Sequence, residues 1–282
     1  MKSGTVTSTD GTSIGYRTVG RGPAVIALHG GMLAAQHFTG LAYALSADFE
    51  VIVPDRRGRG LSRHPHTAYE PGREVEDLQA LVEKTGATRA FGLSTGALVV
   101  LRAARTTPTL RHIALYEPPL SVHGSVPLDW VPRFERELAA GKLASALVTA
   151  LTGLRVEPVF SRVPRAVLTP LLALAVRLQR SPPDGDVPIA ALIPTETQDI
   201  RIVRQCADTI GDYTAVQARV LLLSGGKSPG YFTVSLDALA AVLPHARRMT
   251  FVGLGHDGPE NDGDPRKVAH ALHDFFQEAD VR

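Results

Sequence analysis

The stretch Arg89 to Val100, RAFGLSTGALVV, decides the fold. A short apolar run enters Gly92-x-Ser94-x-Gly96 and an Ala/Val/Leu segment leaves it, so the pattern predicts a serine at a strand-to-helix turn. A serine hydroxyl is a weak nucleophile at its free pKa. It must be held exposed, beside a base and beside backbone donors for an oxyanion. Gly92 and Gly96 lack Cβ atoms, which lets strand and helix crowd together while Ser94 takes a strained backbone that lifts its Oγ above the sheet. Alone, five such residues are also a plain glycine-rich turn, and the rest of the chain separates the two readings.

Upstream, residues 5–9 and 12–19 flank Asp10-Gly11, a hairpin dipeptide, and predict an antiparallel pair. Ala24 to Leu28 (AVIAL) and Glu50 to Val53 (EVIV) are continuous apolar runs, as strands buried on both faces of a parallel sheet require. Residues 35–47 and Glu74 to Lys84 carry helical spacing between and after them. Downstream come a helix over Ala97 to Ala104 and a strand over His112 to Tyr116, halted by Glu117-Pro118-Pro119. Residues 120–213 turn Ala/Leu-rich and proline-broken, with helical segments such as Arg133 to Leu151 and Ala166 to Arg180. The sheet rhythm then resumes with strands over Arg219 to Leu223 and Met249 to Val252 and helices over Val234 to Val242 and Arg266 to Glu278. Alternation of this kind predicts a doubly wound, mostly parallel sheet, with residues 1–119 and 214–282 as its core and 120–213 as a helical insertion.

At 282 residues with 44% hydrophobic and 21% charged side chains, the chain can bury one large core. Thirty Lys and Arg against 28 Asp and Glu leave a net charge of only +2, with Arg56 to Arg59 as the one dense basic run, so no nucleic-acid partner is expected. The N-terminus lacks an apolar signal region. Leu168 to Leu178 is interrupted by Pro170 and Arg177 and falls short of the roughly 20 residues of a membrane span. Cys206, the single cysteine, leaves no disulfide framework or CxxC metal pattern. These features predict a cytoplasmic protein without cofactor or metal, its thiol free and buried or half-buried. His64 and His66 are read as loop residues.

With its pieces in order, the chain resembles the α/β-hydrolase superfamily over nearly its whole length, in particular the capped, serine-nucleophile members. Four motifs carry the resemblance: His29-Gly30-Gly31 after the third strand, Asp55-x-Arg57-Gly58-x-Gly60-x-Ser62 after the fourth, Gly92-x-Ser94-x-Gly96 after the fifth, and Gly255-His256 after the last. Each falls at the carboxyl end of a strand, where parallel α/β sheets build their sites. The resemblance implies an α/β-hydrolase fold of about eight strands with helices on both faces and a helical cap. It implies Ser94 as nucleophile, His256 as general base, and an oxyanion hole from the backbone N–H groups of Thr95 and Gly31. His29, Asp55 and Arg57 are expected to brace loops.

The acid departs from the family pattern. Most members carry an aspartate in a GxxD turn after the strand read here as RVLLL, and this chain has Gly225-Gly226-Lys227-Ser228. Either the triad lacks its acid, or the acid has moved. A minority of the superfamily, some haloalkane dehalogenases among them, carries a glutamate just after the strand that follows the nucleophile. That place holds Glu117, which is adopted as the acid, with Asp212, Asp237 and Asp257 as alternatives.

A serine nucleophile implies an acyl-enzyme formed from a small carboxylic ester, lactone or thioester. Acyl transfer, carbon-carbon hydrolysis, cyclisation in secondary metabolism and a non-catalytic binding role are the competing readings. Met32, His37, Phe38, Trp130, Phe134 and the leucines of Leu168 to Leu178 are the candidates to line a mostly apolar pocket. Arg162, Arg165, Arg177 and Arg180 are read as solvated residues of the cap surface.

Overall fold

Alternation of side chains across each strand gives this molecule two hydrophobic layers, one on either face of a single sheet. The computed structural model describes residues 1–62, 68–156, 160, 162–179, 185–243 and 245–278; His64, His66 and Arg180 lie outside them. The strands are β1 (Lys2–Thr7), β2 (Ser13–Val19), β3 (Ala24–Leu28), β4 (Glu50–Pro54), β5 (Arg89–Leu93), β6 (His112–Tyr116), β7 (Arg219–Gly225) and β8 (Arg247–Phe251). They run in the order β1-β2-β4-β3-β5-β6-β7-β8. β1 and β2 pair antiparallel, as the Asp10-Gly11 turn predicts, and β2 is antiparallel to β4; every later pairing is parallel.

Successive residues of the central strands enter opposite cores. Ile26, Leu28, Ala90, Ile113 and Leu115 join one cluster with α2 (Pro71–Thr85), α3 (Thr95–Ala104) and α8 (Gly230–Val242). Val25, Ala27, Phe91, Ala114 and Tyr116 join the other with α1 (Thr39–Leu45) and α9 (Pro265–Phe276). Burial on both faces is why these strands read as continuous apolar runs.

Between β6 and β7 lie α4 (Val131–Ala139), α5 (Leu143–Leu154), α6 (Arg165–Leu178) and α7 (Glu196–Cys206). α4, α5 and α6 share a separate cluster around Trp130, Phe134, Leu147 and Val176. Arg165 ties them together, donating to Glu137 (2.6 Å) and Thr149 (2.8 Å). It is a structural staple rather than the solvated residue expected from sequence. Val167, Leu171, Leu174 and Leu178 form an exposed apolar stripe along α6. Among the described residues no helix is long and apolar enough to cross a membrane.

Two predicted helices are divided. Residues 35–47 begin as a 3₁₀ turn over Ala35–Phe38 because Asp55 Oδ1 accepts the Ala35 N–H at 2.7 Å, and the α-helix starts only at Thr39. The segment Arg133 to Leu151 breaks between α4 and α5 at Gly141, whose φ of 68° is a left-handed conformation that suits glycine.

Candidate active site

The site forms at the carboxyl ends of β3, β5, β6 and β8. Ser94 follows β5 with φ 55° and ψ −125°, a conformation costly for a residue with a Cβ. The surroundings over-determine it. Ser94 N–H donates to Tyr116 O at 2.8 Å on the neighbouring strand. A Cβ on Gly92 would lie 2.5 Å from Ala97 Cα, and one on Gly96 would lie 2.4 Å from His29 O. The two glycines are therefore what allow helix α3 to start so close to the sheet. Met32 (φ 50°) and Glu117 (φ 48°) share the unusual backbone region, so strain collects where the strands end.

Glu117 is fully buried just beyond β6. Its N–H donates to Leu223 O (3.0 Å), Gly225 N–H donates to its Oε1 (2.7 Å), and its Oε2 lies 2.6 Å from His256 Nδ1. A carboxylate in that place favours the tautomer with the proton on Nδ1 and leaves Nε2 as the basic nitrogen. The His256 ring stacks on Phe232, with centroids 4.6 Å apart and planes 11° apart. Its loop is anchored by Tyr116 Oη, which donates to Gly255 O at 2.7 Å. Asp212 instead pairs with Arg105 at 3.1 Å, and Asp237 pairs with Arg248. Ser228, where the family aspartate was expected, has a buried Oγ without a partner among the described residues.

The loop after β3 is clamped from below. Gly30 O accepts from Arg59 Nη1 (2.9 Å) and Arg56 Nη1 (3.3 Å), and lies 3.0 Å from His29 Nδ1. Arg56 N–H donates to His29 Nε2 at 3.2 Å. Burial, with the Arg59 and Arg56 charges added, holds the His29 pKa well below its usual range, so this imidazole is neutral and structural. Asp55 caps the chain at Ala35 and Leu61, and Arg57 pairs with Asp10 and Asp77.

Arg56 and Arg59 do more than sequence reasoning credited. Arg56 forks onto Glu74 through Nε and Nη2 (2.6 and 3.0 Å). Asp199, from α7, accepts from Arg56 Nη1 (2.8 Å), Arg59 Nη2 (2.6 Å) and Thr95 Oγ1 (2.6 Å). Thr95, the residue after Ser94, is thereby tied to both the loop after β4 and helix α7. The signal for this network lay in α7 itself: Glu196 and Asp199 fall on the same face as Ile200 and Val203, carboxylates within an apolar stripe.

Ser94, Thr95, Gly31 and His256 line one cavity of about 490 Å³, a size typical of small-molecule sites. Met32 and Trp130 contribute to its wall, together with Leu147, Leu151, Tyr231 and Phe232. His37, Phe38 and Phe134 are not among its lining residues. Phe38 is buried in the core against Phe91, Phe134 packs edge-on behind Trp130, and His37 Nδ1 turns back to its own 3₁₀ segment, accepting the Ala34 N–H at 3.1 Å. The leucines at 171, 174 and 178 point to solvent. Cys206 is buried, and burial pushes its thiol pKa up.

Fold and site together define a class. The model of the Alpha/beta hydrolase family matches residues 25–271, and the chain belongs to that family and is a hydrolase enzyme. A crystal structure of an alpha/beta hydrolase from Sphaerobacter thermophilus superposes with a TM-score of 0.76 at 29% identity, over 97% of this chain and 100% of that one. The pimeloyl-[acyl-carrier protein] methyl ester esterase of Xanthomonas campestris is 28% identical over 264 residues, 91% of this chain and 96% of that protein. A non-heme chloroperoxidase of Streptomyces lividans is 34% identical over 153 residues, 49% of this chain and 55% of that protein.

Proposed function

We propose that the protein hydrolyses a small carboxylic ester, lactone or thioester through an acyl-enzyme on Ser94, with His256 as base and Glu117 as acid. The observation that carries the reading is the 2.6 Å contact between Glu117 and His256 beside a cavity that Ser94 also lines. His256 Nε2 takes the Ser94 proton as Oγ attacks the acyl carbon, and Glu117 stabilises the imidazolium that forms. The tetrahedral oxyanion is held by the N–H groups of Thr95 and Gly31. As the intermediate collapses, the bond to the leaving alcohol, thiol or ring oxygen breaks and His256 protonates it. A water deprotonated by His256 then hydrolyses the acyl-enzyme, releasing the acid and restoring Ser94.

Residues 120–213 serve in this reading as a cap whose α5 and α7, with Trp130, line the acyl pocket. The methyl ester esterase named above, which aligns over nearly its whole length, supports an ester as the scissile group. The test is labelling by a fluorophosphonate together with turnover of activated esters. Labelling is expected on Ser94 and abolished in Ser94→Ala. A wild-type protein that neither labels nor turns over any ester, thioester or lactone overturns the reading. Full activity in Glu117→Gln with loss in Asp212→Asn would overturn the acid assignment.

A further inference from the structure

Glu196 is absent from the mechanism above, yet it lines the cavity from α7 and is only 5% exposed. Its Oε2 has no hydrogen-bond partner among the described residues. A Cβ placed on Gly31 would come within 2.6 Å of that oxygen. The carboxyl therefore rests on the side of Gly31 where a side chain would project.

The charge balance around it is already closed. Arg56 pairs with Glu74 and Asp199, and Arg59 pairs with Asp199, so two guanidiniums face two carboxylates. Glu196 has no ion pair among the described residues. A third buried anion beside Asp199 would be uncompensated, and such groups take up a proton instead. A protonated carboxyl has an O–H to donate, and Oε2 makes no hydrogen bond among the described residues.

We propose that Glu196 is a specificity-determining residue whose un-ionised carboxyl donates a hydrogen bond to an uncharged oxygen on the acyl chain, next to the scissile carbonyl. The preferred substrates are then 3-oxoacyl esters or thioesters, whose second carbonyl lies one carbon removed from the first. This deepens, and rests on, the hydrolase reading above. A site built to pair a substrate oxygen discriminates strongly against the analogue that lacks it, because the buried donor is then left unpaired.

The test separates binding from turnover. In the Ser94→Ala background, thermal-shift titrations compare 4-nitrophenyl 3-oxobutanoate with 4-nitrophenyl butanoate. The 3-oxo ester is expected to bind about tenfold more tightly, the preference being lost in Glu196→Met or Glu196→Leu and largely kept in Glu196→Gln. Infrared difference spectra of wild type minus Glu196→Gln at neutral pH are expected to show the carbonyl stretch of an un-ionised acid. Equal binding of the two esters, a preference that survives loss of the carboxyl, or a carboxylate band each overturns the proposal. So does an equal loss of both esters, which would assign Glu196 to the scissile carbonyl itself. Should Glu196→Met and Glu196→Leu both fail to fold, the ester preference of Ser94→Ala and the infrared band decide. A 3-oxo preference without fluorophosphonate labelling of the wild type would sink only the acyl-enzyme reading.

Discussion

Glu117 and His256 meet across a strand that belongs to neither: the glutamate follows β6, the histidine follows β8, and β7 lies between them in the sheet. The bridge is made at the carboxyl edge, where Gly225 ends β7 and gives its own N–H to the other oxygen of the same carboxylate. A Cβ on Gly225 would lie 2.5 Å from Gly255 O, so the small residue also lets the His256 loop approach.

Replacing Glu117 by Gln keeps size and removes charge. We expect kcat to fall by about 10³ to 10⁴ with KM little changed, since the imidazole tautomer and the imidazolium both lose their partner. Ester turnover by the purified variant checks it, and a loss confined to KM would contradict the role.

Ser228 occupies the turn where an aspartate was expected, and its buried hydroxyl is unpartnered among the described residues. The double variant Glu117→Ala with Ser228→Asp is expected to recover at least about tenfold of the activity lost in Glu117→Ala alone, since a carboxylate returns to the imidazole's edge. No recovery in a folded protein would mean that only the β6 position can orient His256.

Glu196 gives a stability signature against pH. Burial, with the charge of Asp199 added and only partly offset by Arg59 and Arg56, holds its pKa well above the ordinary 4.5. The proton is thus bound more tightly in the folded state than in the unfolded one. Its contribution is fully present below 4.5 and is lost as pH rises through the folded pKa. Glu196→Gln, which cannot ionise, is expected to match wild type in acid and to gain in melting temperature over it as pH rises. Parallel curves from pH 5 to 9 would contradict a raised pKa.

Asp199 is a harder test of the buried network. Removing its charge leaves Arg59 without a carboxylate, with only the amide oxygen left to accept from Thr95 and Arg56, so Asp199→Asn is expected to cost about 3 to 5 kcal/mol in denaturant unfolding. A loss below 1 kcal/mol would show that water or the amide satisfies both arginines.

Much of this was legible in the chain. The apolar runs marked β3 to β6 because strands covered on both faces must be apolar throughout, and Gly92 and Gly96 marked Ser94 because a turn that close tolerates no Cβ. Glu117 stood out as a carboxylate at a strand end followed by two prolines. The ion pairs were not legible: Arg59 finds Asp199 across 140 residues, and neither residue's local sequence names the other. Phe38 and Phe134 face the core while Tyr231 and Phe232 line the cavity, since an aromatic on a helix faces core or cavity according to a rotation that composition does not encode.

The network of Arg56, Arg59, Thr95 and Asp199 also bears on traffic in and out of the site. It rivets α7 to the floor, and lifting that helix would break three charge-assisted hydrogen bonds with Asp199. α5 is held near α8 by the neutral bond from Tyr231 Oη to Leu154 O at 2.9 Å, with apolar packing around it. Lifting α7, which carries Glu196, would therefore break more and stronger bonds than parting α5 from α8.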